Sequence, residues 1–157
     1  MPGSGDPALD QVPIPYAREH AQGFVDGGAS TWADGGGLFA VEPSAGGPLV
    51  GSMGLVPPRD GFAEAGYWTV AGYRGHGFTA EALGLLTAWA FSDVGLHRVE
   101  LHVDPENAGS RRVAQRAGYH SEGLIRQRFL HRGRPSDVVL YALLASDPRP
   151  EAGTPTE

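Results

Sequence analysis

Three features of the sequence predict an α/β (α+β) domain built on a mixed, mostly antiparallel sheet. A β-rich meander fills the first half, a strand, glycine turn, helix and strand follow in the middle, and two alternating runs close the chain. A length of 157 residues fits one core, and 41 % hydrophobic with 19 % charged residues is ordinary for a globular chain. The domain is assigned to residues 16–145. Residues 1–15, rich in Pro, Gly and Asp, read as a flexible lead, and 146–157, with three prolines, as a disordered tail.

The elements follow in order. A short helix is expected from near Tyr16, with Ala17, Ala21, Phe24 and Val25 on one face, and Gly27, Gly28 and residues 35–37 mark loops. Strands at 38–41 and 49–56 flank the hairpin loop Ser44-Ala45-Gly46-Gly47-Pro48. Aromatic and β-branched residues over 62–70 continue the meander. Residues 79–94 place Ala82, Leu85, Leu86, Trp89 and Ala90 at helical spacing, and Gly95 ends that helix. In the next run Val99, Leu101 and Val103 face one way and Arg98, Glu100 and His102 the other, which is strand alternation. It ends in Asp104-Pro105-Glu106-Asn107. Asn107 is the natural N-cap of a second helix that runs through Val113, Ala114 and Ala117 to Gly118, and it places Ser110 in the first turn. Residues 121–131 and 138–144 form a final antiparallel pair around Arg132-Gly133-Arg134-Pro135. There is no internal repeat.

Composition removes several kinds of chemistry. Without cysteine there is no disulfide, thiolate metal site or cysteine nucleophile, and because all twelve basic residues are arginine there is no lysine for a Schiff base. The six histidines show no metal-ligand spacing, so no metal is expected. No apolar run reaches membrane length and the N terminus lacks a basic region followed by an apolar segment, which points to a cytoplasmic protein without a membrane partner. A net charge of -6 argues against nucleic acid and for a cationic acceptor such as an amine.

The most informative stretch is Tyr73-Arg74-Gly75-His76-Gly77-Phe78-Thr79-Ala80-Glu81-Ala82, which lies between a strand and a long helix. Gly75 and Gly77 lack a Cβ, so the chain there can bend tightly and bare successive N–H groups where the helix dipole favours an anion. A G-x-G of this kind also occurs as a plain structural turn. What raises the phosphate reading is the composite pattern: strand, glycine turn, helix, strand, Asn-x-x-Ser helix, then Gly-aromatic.

Taken with Glu64-Ala65-Gly66-Tyr67-Trp68, His97-Arg98-Val99, Asn107-Ala108-Gly109-Ser110 and Gly118-Tyr119-His120-Ser121-Glu122-Gly123, this stretch resembles the GNAT acyltransferase superfamily. The resemblance is to the branch that contains the ribosomal-protein N-terminal acetyltransferases, and it covers roughly Asp6 to Ser146. It implies a sheet whose central strands splay apart, with flanking helices. It also implies that the usual first strand and helix are missing, so that either the start lies upstream or another element covers the sheet edge. An uncovered edge would favour a homodimer.

The activity implied is transfer of an acetyl group from acetyl-CoA to a primary amine. By resemblance, the pantetheine arm pairs with the backbone of Trp68, Thr69 and Val70, and Asn107 bonds it as well. The pyrophosphate rests on the N–H groups of Arg74, Gly75, His76, Gly77, Phe78 and Thr79, with the Thr79 hydroxyl as a further donor. Glu64 stands where many members keep a catalytic glutamate, and burial beside apolar rings would raise its basicity. Its alternative is a solvated strand carboxylate. Ser110 matches the serine that assists the leaving thiolate and also touches the cofactor; Asn107 and Ser110 can equally serve only as helix cap and first-turn residue. Glu122 and Gly123 match the branch too, with Glu122 read as ordering its strand.

Three departures bear on the site. Gly72 replaces the usual Gln or Arg before the first glycine, and Ala71 stands where the branch often has proline; neither removes a backbone donor. Phe129, within Arg126-Gln127-Arg128-Phe129, replaces a glutamate near the acceptor. The acceptor is therefore open between a protein N terminus and a small-molecule amine, amine-bearing antibiotics included. Arg126, Arg128, Arg132 and Arg134 either bind a carboxylate or phosphate or are solvated surface charge. Two other classes stay in view. One is a non-catalytic acyl-CoA-binding module. The other is an NAD-binding oxidoreductase, since Gly75-x-Gly77-x-x-Ala80 fits a dinucleotide fingerprint with Asp104 ending the next strand, although the meander and the short remaining chain disagree.

Overall fold

A computed structural model describes residues 18–150. The lead expected at 1–15, the start of the first helix at Tyr16 and Ala17, and the last seven residues of the expected tail lie outside the described residues. In order, the elements are α1 (Arg18–Ala33), β1 (Gly37–Val41), β2 (Gly51–Leu55), β3 (Phe62–Thr69), a 3-10 turn (Ala71–Tyr73), α2 (Phe78–Ser92), β4 (Arg98–Val103), α3 (Ala108–Arg116), β5 (His120–His131) and β6 (Arg134–Leu144). The strands form one sheet in the order β1-β2-β3-β4-β6-β5. Every neighbouring pair is antiparallel except β3 and β4, which α2 connects in parallel. The expected α/β class with a mostly antiparallel sheet is what the chain adopts. None of the described helices is long and apolar enough to cross a membrane.

The core lies between the sheet and α2 with α3. Met53, Leu55, Ala63, Ala65, Val99, Leu101 and Val103 come from the strands, and Leu83, Leu86, Ala90 and Ala114 from the helices. Burial alternates along β4, as the sequence periodicity requires, with Val99, Leu101 and Val103 inward. α2 turns a different face inward from the one expected. It buries Ala80, Leu83, Leu86, Thr87 and Ala90, while Leu85 is 69 % exposed. Apolar residues occupy most of this helix, so periodicity leaves its rotation open; the Thr87 hydroxyl, placed against the buried Tyr119 hydroxyl at 2.6 Å, marks the inward side.

α1 differs as well. It runs through Gly27 and Gly28, which were expected in a loop, and it leaves Phe24 49 % and Val25 64 % exposed. For Gly28 the reason is close approach: it is buried, and a Cβ there would stand 3.1 Å from the Leu38 side chain of β1. Tight packing outweighs the helix cost of glycine, about 1 kcal/mol. Nearby, Trp32, Phe39 and Trp89 join α1, β1 and α2 through ring contacts of 5.0 to 5.7 Å.

The β2–β3 connection pairs Arg59 with Phe62 around Asp60 and Gly61, both at positive φ. This is the geometry of a primed two-residue hairpin, for which Asp-Gly is well suited. A Cβ on Gly61 would also lie 2.5 Å from His97 Nδ1. Gly61→Ala is therefore expected to destabilise the fold by about 1–3 kcal/mol through backbone strain, read as a lower urea midpoint with the slope unchanged.

Candidate active site

The parallel register of β3 and β4 spans Phe62↔Arg98, Ala63↔Val99 and Glu64↔Glu100, and stops there. β3 continues with β2 to Thr69, and β4 continues with β6 to Val103, so the two strands diverge beyond Glu64 and Glu100. The ladder fixes which backbone groups face the gap. Val56 N–H donates to Glu64 O and Val70 N–H to Val50 O, so even-numbered residues of β3 bond to β2. Alternation then turns the backbone of Ala65, Tyr67 and Thr69 toward β4. This corrects the expectation for Trp68 and Val70: both bond toward β2, and of the three residues expected to offer backbone to a ligand only Thr69 faces the gap. Arg74 Nε already donates to the Thr69 carbonyl at 3.2 Å.

Beyond the gap lies the glycine turn. Gly75 (φ 78°) and Gly77 (φ 86°) both adopt the left-handed conformation, and a Cβ on Gly75 would meet open space. No side chain caps α2, whose first helical bond runs from Glu81 N–H to Gly77 O. The amides of Phe78, Thr79 and Ala80 therefore have no acceptor within the helix and project from its positive end. Arg74 departs from expectation, because its N–H donates to Ala71 O at 3.3 Å. His76 stacks on Phe78 with its Nδ1 3.0 Å from Arg74 O. The Thr79 hydroxyl is hydrogen-bonded to that of Thr69; only one of the two donates in that contact, and the other keeps its proton for a ligand. Sequence reasoning missed Arg116. From the last turn of α3, its guanidinium reaches within 3.5 Å of where a Gly77 Cβ would be, and brings a fixed positive charge to the turn.

On the sheet face away from the helices, a row of ionisable side chains runs from β3 to β5. The Glu64 carboxylate is 39 % exposed, with Oε2 3.2 Å from Nδ1 of His102. His102 is 7 % exposed and has Nε2 3.7 Å from Glu100. Glu100 accepts from Arg98 Nε at 2.7 Å, and Arg98 forks onto both oxygens of Glu122, one of them at 2.9 Å. The nearest partner of Glu64 is thus an imidazole rather than the apolar rings expected. Phe129 does lie close, but against His102, at 5.7 Å between ring centroids, with the Arg128 guanidinium 5.3 Å above it.

Asn107 caps α3 as the sequence indicates: its Oδ1 accepts from Ser110 N–H at 3.0 Å, leaving its amide N–H groups as donors. The Ser110 hydroxyl lies 2.9 Å from the Tyr67 hydroxyl, which also contacts Ser110 O at 3.3 Å. Tyr67 was not singled out from sequence. Its place in the alternation with Ala63 and Ala65 was the available signal, since it turns the ring toward α3. Close by, burial raises the Tyr119 phenol above its ordinary range.

Residues 4–120 match the family of acetyltransferase (GNAT) domains. Among solved structures, Mycobacterium smegmatis RimJ in complex with CoA-disulfide superposes with a TM-score of 0.76 at 29 % identity, over 84 % of this chain and 64 % of that one. Among curated proteins, the N-acetyltransferase p20 of Bacillus licheniformis is 33 % identical over 98 residues, which is 61 % of this chain and 55 % of p20. The ribosomal-protein-serine acetyltransferase of Escherichia coli K12 is 31 % identical over 91 residues, 58 % of this chain and 51 % of its own length. The chain thus spans little more than half the length of these curated relatives.

The Arg98 hydrogen bonds hold the Glu122 carboxyl below its ordinary value of 4.5. A carboxyl lowered by folding stabilises the protein above that value, and the contribution is lost as pH falls through the lower folded-state value. Glu122→Gln removes it, so stability of the variant is expected to change less than that of the parent between about pH 6 and pH 3, as urea midpoints will show.

Proposed function

We propose that this chain, which belongs to the acetyltransferase (GNAT) family and is similar to its ribosomal-protein-type N-acetyltransferases, transfers an acetyl group from acetyl-CoA to a primary amine. The observation that carries the reading is the uncapped start of α2 beside the end of the β3–β4 pairing. It sets an anion site beside a strand edge that no longer has β4 as its neighbour.

The residues suit coenzyme A. Free amides from Phe78 to Ala80, with the open space at Gly75 and the guanidinium of Arg116, would take the pyrophosphate. Gly75, His76 and Gly77 shape that cradle, while Arg74 contributes its side chain rather than its N–H. The backbone of Tyr67 and Thr69, facing the gap, would pair with the pantetheine arm, and the Asn107 amide would bond it from the other side. That the similar RimJ was solved in complex with CoA-disulfide supports coenzyme A as the ligand. Acetyl-CoA would supply the thioester carbonyl. Metal ions have no part in the scheme.

An amine attacks only when neutral, whereas α-amino groups have an ordinary pKa of about 8. Glu64, half-exposed at the point where the strands part, would take the proton. Ser110, oriented by the Asn107 cap and the Tyr67 hydroxyl, would donate a hydrogen bond to the departing thiolate. The acceptor would be a protein N terminus or a small amine. Phe129 and Arg128, next to His102 and Glu64, would form part of the wall it meets.

Thiol release from acetyl-CoA, screened over peptide N termini, polyamines and amino sugars, is expected to identify an acceptor; no turnover with any amine, despite CoA binding, would leave a binding module instead. With that acceptor, Glu64→Gln should lower turnover by about 10²-fold or more while CoA affinity is retained; near-normal turnover would remove Glu64 from the role. Gly77→Arg, checked as folded by circular dichroism, should abolish CoA binding in calorimetry, because the new side chain fills the anion space. Undiminished binding would place the cofactor elsewhere.

A further inference from the structure

We infer, resting on the reading of Glu64 as the proton acceptor, that His102 is a positioning residue that holds the Glu64 carboxylate toward the acceptor amine. The starting point is a buried imidazole nitrogen with nothing bonded to it: Nδ1 of His102 has no hydrogen-bond partner. The polar atom facing it is Glu64 Oε2, at 3.2 Å, inside ion-pair distance but outside hydrogen-bond geometry. A small rotation of the half-exposed Glu64 side chain closes that bond. Closing it satisfies an atom that burial has cut off from water.

The ring itself cannot follow Glu64 away. His102 sits on β4 in register with Leu140 of β6, its ring is 7 % exposed, and Phe129 packs against it. Its Nε2 side faces Glu100, which accepts from Arg98, itself held by Glu122. A buried, packed imidazole therefore stands beside a half-exposed carboxylate. With Oε2 on His102, Oε1 is left to receive the proton that the attacking nitrogen sheds as its bond to the thioester carbon forms and the carbon–sulfur bond breaks. The imidazole stays outside the bond changes. It determines where the accepting oxygen points.

The test has a kinetic arm and a spectroscopic arm. His102→Leu is expected to lower kcat by about tenfold to a hundredfold, the scale of a misplaced catalytic group, with KM for acetyl-CoA unchanged. His102→Asn, whose amide can donate from nearly the same place, should recover most of that loss. In a Glu64→Gln background, His102→Leu should add little. Wild-type kcat in His102→Leu, or an asparagine variant as impaired as the leucine one, would overturn the inference. For the spectroscopic arm, the Nδ1 nitrogen of His102 in the wild-type chain should show the 15N shift of a protonated, hydrogen-bonded nitrogen, and that shift should move in Glu64→Ala but not in Ser110→Ala. A shift indifferent to Glu64→Ala overturns the inference even if no acceptor is ever turned over. Conversely, a responsive shift with full activity in Glu64→Gln would sink the base assignment while leaving the contact standing.

Discussion

β3 keeps β2 as a partner to Thr69 but keeps β4 only to Glu64, and the candidate site depends on that inequality. A strand within a sheet normally spends its backbone groups on both neighbours. Here β4 leaves with β6, so beyond Glu64 one edge of β3 faces a gap inside the domain instead of a strand. A ligand with amides of its own is the natural complement of such an edge. The same divergence delivers the chain to the glycine turn, where α2 begins without a side-chain cap. Two incomplete hydrogen-bond systems therefore lie next to each other, and each lacks what a long anionic cofactor with a peptide-like arm can provide.

The two sheet faces divide the labour. Inward, α2 and α3 cover an apolar layer that fixes β3 and β4 at their closed end, with Ala63, Ala65 and Val99 packed there. Outward, charge is laid along β4 and tied across β6 to Glu122 of β5. Beyond the stability it adds through Glu122, this row orients side chains. Its effect is to immobilise Glu100 and frame His102, which stands at the border between the fixed network and the freer Glu64. Ser110 is placed differently, from the helix side, by a cap and a tyrosine. The groups proposed to act on the amine and on the thiolate thus come from opposite faces of the sheet.

The legible parts of the sequence were those with strict local rules. Alternation gave β4 and its buried face; Asn107 announced its cap; Gly95 and Gly118 marked helix ends. Where local rules are degenerate the reading slipped. α2 is apolar on too many sides for periodicity to select Leu83 over Leu85, and Gly28 reads as a breaker because nothing nearby in sequence reveals Leu38 waiting against the helix. The backbone assignment of Trp68 and Val70 slipped by one residue, and one residue in a strand reverses every direction. The contacts of Arg116, Tyr67 and His102 are not legible in the sequence because their partners lie far along the chain, at Gly77, Ser110 and Glu64.

By itself the sequence determined the order of elements, the glycine turn at a helix start and the family pattern, since each is written in neighbouring residues through dihedral preference and hydrophobic period. Tertiary structure alone decided which edge of β3 is bare, which nitrogen faces Glu64 and which cation attends the turn. Those depend on register and on contacts between distant segments, and no local preference of the chain encodes a distance across a sheet.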